Sequence, residues 1–358
     1  MHKVFKFDLR TIKLILVGAV CVSAAIFIFA MPDEIKKGAV DGLLISTETV
    51  IPSLFPFSVL AYFMFDSGIF GLFEKIFDPA AKLLLGLNGK EFSCLLMSML
   101  AGYPVGARLI ANRHDAGEIG EPRAKMLLCY SVNAGPPFII TAVGSGMLHS
   151  EKIGVVLLSS HIFASLVLCR ISTLFFPKSA AAVQKNRTQK PIADCFVDAV
   201  STASKSMFSI CGWVVLFSSL RPVLTRTLPS VSANFLLPMF EVTSGLAYGS
   251  FSIPEVAFFL GFSGFSVIFQ VMSGAKSFKP RFLTVVFSRL AHGALSFLFC
   301  KLYLYFFPFY TQTVSNGQSP VFSPNNIAVP AAAALVLTLC VFYGFVRQSE
   351  DKLKRQTA

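Results

Sequence analysis

The sequence predicts an all-α polytopic membrane protein, with about eight transmembrane helices plus two re-entrant helical hairpins in an inverted repeat. Three observations carry that prediction. Apolar residues make up 54% of the 358-residue chain and charged residues only 14%, against about 25% charged in an average soluble domain. The apolar residues fall into blocks of about 20, the length a helix needs to cross a bilayer. Two further blocks are interrupted by Gly, Pro and polar residues, which free backbone groups that lipid cannot satisfy. High hydrophobicity with low charge excludes a disordered chain. The net charge of +12 does not mark a nucleic-acid binder, because the cations sit between apolar blocks rather than on one basic face. Membrane lipid is the expected partner, and no nucleic acid is.

Full spans are expected at 11–30, 43–65, 124–148, 153–176, 195–220, 255–275, 282–307 and 327–347. The first follows Lys3, Lys6, Arg10 and Lys13. It is longer than a signal-peptide core of about 7–15 residues, and Met31-Pro32-Asp33 lacks a small-residue cleavage pattern. It therefore reads as a retained peripheral helix. Block 91–111 has Gly102-Tyr103-Pro104 at its middle, and block 234–250 has Glu241 and Gly245 near its middle. Both read as hairpins that return to the face they entered.

Charge supports this reading. With both termini cytoplasmic in a multi-pass cell-membrane protein, the inside loops carry Lys75 to Lys90, Arg113 to Lys125, Lys178 to Lys190, Lys276 to Arg281 and Arg347 to Arg355. The outside loops hold fewer cations, as the positive-inside rule asks. The expected organisation is a first helix in 1–34, a first repeat in 35–176, a cytoplasmic linker in 177–194 and a second, inverted repeat in 195–307. An external loop, last helix and basic tail fill 308–358. A sequence match supports the repeat: His161, Ser165, Cys169 and Arg170 recur at the same spacing as His292, Ser296, Cys300 and Lys301.

Polar groups inside apolar blocks are the candidate site. A carboxylate at membrane depth costs a few kcal/mol, which makes Glu241 a functional candidate by default. Thr243 and Ser244 follow it with hydroxyls. The segment Gly261 to Ser266 contributes Ser263, Phe265 and Ser266, with Gln270 one turn beyond. Its counterpart is Ser131 to Pro137, where two prolines end the helix beside Asn133. Inverted-repeat transporters hold solute near the midplane where such broken helices meet. Gly102, Tyr103, Pro104 and Asn133 should therefore face Glu241 to Ser244 and Ser263 to Ser266 across one cavity.

No enzyme, metal or cofactor is expected. His114 and Asp115 have no third catalytic partner at a recognisable spacing, GYPVGARL lacks a phosphate-loop ending, and no HExxH is present. The eight cysteines include no CxxC pair.

The motifs IPSLFPF (51–57), AGYPVGARLIA (101–111), NAGPPFIITAVGSGML (133–148), EVTSG (241–245) and GFSGFSVIFQ (261–270) resemble the sporulation integral membrane protein family of spore-forming bacteria, the YlbJ type. That family is similar to nucleoside-recognition or Gate domains, and through them to concentrative nucleoside transporters. The resemblance implies that Glu241 and Gly261 to Ser266 correspond to the hairpin Glu and broken-helix segment that hold ribose. It also implies a role in making the spore cortex. Gly264 replaces the Asn of the transporter segment, and Gly102-Tyr103-Pro104 replaces its Gln-Thr-Glu. The expected function is a transporter-like protein supporting sporulation. It would move or sense a small polar, nucleoside-like solute, with or without a coupling cation. The alternatives are a non-transporting scaffold for other sporulation membrane proteins or for a homo-oligomer, and an intramembrane enzyme on lipid-linked precursors. The last lacks a nucleophile–base pair.

Overall fold

The computed structural model describes residues 9–175, 190–227 and 230–307, and among these every element is helical. Helix α1 (Leu9–Ala30) leaves Leu16 and Phe29 exposed, a surface suited to lipid. Helices α2 (Pro32–Ile45) and α3 (Ile51–Asp66) run into one another through a π turn, Ser46–Val50. Together they make one apolar helix, Pro32–Asp66. Pro32, Asp33 and Glu34 suit its start, where no intrahelical donor is lost and the dipole favours acid. The π turn sits just before Pro52 and Pro56, whose missing N–H groups disturb the ladder.

Next come α4 (Phe70–Leu85), α5 (Gly89–Ala101) and α6 (Val105–Asp115). Gly86, at φ +70°, ends α4, and Asn88 with Glu91 forms a capping box that starts α5 about 90° away. Ser98 and Gly106 lie side by side, so α5 and α6 form a hairpin whose tip is Gly102. Helix α7 (Glu121–Tyr130) stops at an extended stretch, and a π-helical segment, Pro137–Met147, resumes beyond Pro136. Helix α8 (Glu151–Phe175) closes the first half.

The second half repeats the order. Helix α9 (Ile192–Thr227) lies along α2 and α3. The contact is close at Gly42, where a Cβ would fall 2.8 Å from Val215 Cα, and Arg221 pairs with Asp41 at 2.7 Å. Helices α10 (Ser230–Phe240) and α11 (Val242–Tyr248) form the second hairpin, with Gly245 against the Pro238 backbone. Helices α12 (Ile253–Phe262) and α13 (Gly264–Gly274) are one apolar helix broken at Ser263, and α14 (Phe282–Phe306) completes the half. Helices α8 and α14 pack together, with the His161 and His292 rings 4.4 Å apart.

Several expectations need correction. Among the described residues five helices are long and apolar enough to span a bilayer, or six if the bent α4–α5 pair counts as one. The block 124–148 is not a single span, because Pro136 and Pro137 split it into α7 and the π-helical segment. The span 327–347, the loop and tail around it, and most of the linker 177–194 lie outside the described residues. The stretch Lys75 to Lys90, expected as a loop, is largely α4. Its charges at Glu74, Lys75, Asp78 and Lys82 hide an apolar stripe of Phe70, Phe73 and Phe77, whose rings stack in sequence.

Buried ion pairs fix the base of the first hairpin. Arg123 grips the fully buried Glu91 through Nη2 at 2.6 Å and Nε at 2.7 Å. Arg113 reaches Glu118 at 2.5 Å and also pairs with Glu74 of α4. Removing one partner of a buried pair leaves a naked charge. We expect Arg123→Met to destabilise the detergent-solubilised protein by roughly 3–5 kcal/mol. Lys82→Ala, which cuts only the exposed pair with Asp78, should leave the unfolding midpoint unchanged. Equal midpoints for Arg123→Met and the parent would show that the pair does not hold the hairpin.

Candidate functional site

The four helix breaks meet in pairs. Gly102, at φ +78°, lies so close to the first broken helix that a Cβ there would be 3.0 Å from Gly135 N. Gly264, also at φ +78°, sits with its Cβ direction 3.2 Å from Pro238 O, Phe240 O and Val242 N of the second hairpin. Each hairpin tip thus rests on the break of its own half.

The two pairs surround one cavity of about 30 Å³. Its polar lining is Tyr103, Glu241, Thr243 and Gln270, with Ser266 and the backbone of Gly102 and Gly135. Val50, Leu54, Phe138, Ile210, Trp213 and Val214 supply apolar wall. Trp213 belongs to an aromatic ladder, stacked on Phe217 at 5.9 Å and Phe269 at 5.8 Å. This volume holds one or two waters, far short of the roughly 300 Å³ of a small-ligand pocket.

Two of these side chains, Glu241 and Tyr103, already hold hydrogen bonds within the protein. Glu241 is extended, 3% exposed and caps α11, accepting from Thr243 N at 2.9 Å and Ser244 N at 2.6 Å. Tyr103 donates its hydroxyl to Leu260 O at 2.8 Å, a carbonyl in the last turn of α12 before the Ser263 break. Asn133 does not line the cavity; its amide donates to Ser98 Oγ at 2.9 Å and Tyr130 O at 3.0 Å, so it ties α5 to the end of α7. Pro104, Ser244, Ser263 and Phe265 also stand behind the lining. Ser263 adopts the left-handed turn that breaks the helix, and the Phe265 ring packs on Phe240 and Phe262.

A second cavity, about 490 Å³ and open to solvent, lies along the same helices. Arg108, Ala111, Asn112 and Asp115 form one face of α6 at helical spacing, and Tyr62, Asp66, Thr202, Lys276 and Ser277 complete its wall. Between the two cavities sits Ser206, one turn from Thr202 and one from Ile210 on α9. Its hydroxyl donates to Thr202 O, and its oxygen accepts from Tyr62 at 3.2 Å and Arg108 at 2.8 Å. Sequence reasoning missed this bridge, since its members are about 100 positions or more from Ser206 or belong to separate blocks. Arg108, within the first turn after the Gly102-Tyr103-Pro104 break, was the available signal.

The comparisons with known proteins agree with this architecture. Residues 47–215 match the Gate family model, described as nucleoside recognition. The match spans the first hairpin, the first broken helix, α8 and the front of α9, so Trp213 falls inside the matched stretch and Glu241 outside it. The chain is also similar to the sporulation integral membrane protein YlbJ of Bacillus subtilis (strain 168), at 26% identity over 341 residues. That alignment covers 82% of this chain and 84% of the relative. No solved structure matches.

Gly102 is the most constrained backbone position in the site. Any side chain there must adopt a left-handed conformation and press on Gly135 N. Gly102→Leu should lower the unfolding midpoint by an amount worth at least about 2 kcal/mol, whereas Gly18→Leu in α1, with open space around it, should be neutral. A Gly102→Leu protein with the parent midpoint would refute the close contact of hairpin tip and broken helix.

Proposed function

We propose that the chain is a transporter-like membrane protein that binds a small polar solute at the central cavity and serves sporulation. The convergence of four helix breaks on one partly polar cavity carries this reading. Breaks expose backbone inside an apolar protein, a cost that a purely structural bundle has no need to bear. Each half runs long helix, hairpin, broken helix, long helix. An odd number of crossings per half would invert the second, so that the hairpins approach from opposite faces.

The solute chemistry follows from the lining. A carboxylate, hydroxyls, an amide and a phenol beside an indole suit a compound with several hydroxyls and a flat ring, such as a nucleoside. The Gate description and the name of the similar protein support solute recognition and sporulation respectively. At about 30 Å³ the cavity is too small for such a solute, so binding requires it to widen, as it would if the hairpin parted from α9. The open vestibule, flanked by the basic stretches 113–125 and 276–281, marks the cytoplasmic approach, with the Ser206 bridge as its barrier.

A scaffold that transports nothing is the second reading. The small volume and the engagement of Glu241 by its own helix favour it. Trp213 separates the two, because it is the only tryptophan in the chain and lines the cavity. Titrating a panel of ribonucleosides against the purified protein should shift Trp213 emission saturably for at least one of them. Glu241→Gln should weaken that response about tenfold or more, the worth of a hydrogen bond to a charged group. Proteoliposomes should take up the same compound. A flat signal across the panel, with no uptake, would overturn the transport reading in favour of the scaffold.

A further inference from the structure

Helix α14 carries one arginine deep inside the protein. Arg289 is fully buried and heads the largest enclosed side chains. Its Nη1 donates to Val132 O and to His292 Nδ1 at 3.1 Å, and its Nη2 donates to Cys129 O. Every acceptor is neutral, and among the described residues no carboxylate pairs with it. A buried cation without a counter-charge is costly, so what it touches needs explaining.

The two carbonyls are not ordinary helix carbonyls. Helix α7 ends at Tyr130, so the Cys129 and Val132 oxygens stand at the negative end of a half-helix, freed by the break. In transporters with broken helices, such carbonyls and half-helix C-termini are where a coupling sodium ion or proton is held. Here a guanidinium from the other half of the chain takes that place, and its charge cannot be removed by deprotonation.

The histidines orient it. His292 Nδ1 accepts from Arg289, so its proton is on Nε2, which donates to His161 O at 3.0 Å. His161 Nε2 accepts from Ala134 N at 3.1 Å, in the same break. Both rings are neutral hydrogen-bond links rather than metal ligands, and no metal-binding cluster occurs among the described residues.

We propose that Arg289 is a built-in cation that fills the position of a coupling ion, so that the central site assembles without sodium. The word coupling rests on the solute-site reading above. The ion position itself does not, and it is tested with no solute present. The experiment measures thermal unfolding of the detergent-solubilised full chain in sodium chloride against choline chloride at equal ionic strength. The parent protein and Arg289→Lys should show the same midpoint in both salts. Arg289→Gln should lose at least about 5 °C in choline and regain about 3 °C in sodium or in a few millimolar guanidinium, because either ion can enter the vacated carbonyl site. A parent midpoint that rises in sodium would overturn the proposal, because the ion site would then be open. So would an Arg289→Gln protein that keeps the parent midpoint, or one that loses it and regains nothing. Should Arg289→Gln fail to accumulate, the parent and Arg289→Lys decide: sodium dependence in either overturns the proposal.

Discussion

Broken helices inside an apolar protein must find partners for the amides and carbonyls they release, and the rest of this structure follows from that requirement. Some of these partners come from the opposite half of the chain. Arg289 of α14 reaches across to the carbonyls of the α7 break, and Tyr103 of the first hairpin reaches Leu260 O on α12. Others come from the same half: His161 accepts from Ala134 N, Asn133 donates to Tyr130 O, and Glu241 closes its own break by capping α11. The two halves are therefore held together at their weakest backbone points, and the cavity between the breaks is nearly closed.

The same requirement suggests how the site opens. A hydroxyl-rich solute offers donors and acceptors to Glu241 and Tyr103, which now bond to backbone groups, so it replaces bonds rather than merely filling space. Polar groups concentrate on the hairpin tips and on α13, while Ile210, Trp213 and Val214 form an apolar wall on α9. The hairpin arm α6 meets α9 through Arg108, Tyr62 and a single shared oxygen of Ser206. One bond is neutral, worth about 1 kcal/mol net, and the other comes from a guanidinium, worth roughly 1.5–3 kcal/mol.

Much of this was legible in the sequence, because breaks in apolar blocks leave local marks. Gly102, Pro136-Pro137, Glu241 and Ser263-Gly264 mark the four breaks in the sequence, and Tyr103, Glu241, Thr243, Ser266 and Gln270 line one cavity. Asn133 has the expected place beside a break but faces Ser98 instead of the cavity, since a half-helix end nearby needed its amide more. Helix α4 was hidden by charges that face away from its phenylalanine stripe. Arg289 and the Ser206 bridge could not be seen, because they join residues more than 90 positions apart. The His161 and His292 motifs were read as a repeat, and only packing shows that the two rings touch.

If the Ser206 bridge is the barrier proposed above, breaking it joins the cavity among the four breaks to the vestibule, and thiol labelling reads this out. A single cysteine at Ser266, in a chain freed of its eight native cysteines, is exposed to a membrane-impermeant reagent applied from each face of the membrane. The account predicts slow labelling with the bridge intact. Adding Ser206→Ala should speed labelling about tenfold or more, the worth of two lost hydrogen bonds, and only from the face bearing Asp115 and Lys276. Equal rates with and without Ser206→Ala, or faster labelling from the opposite face, would contradict it.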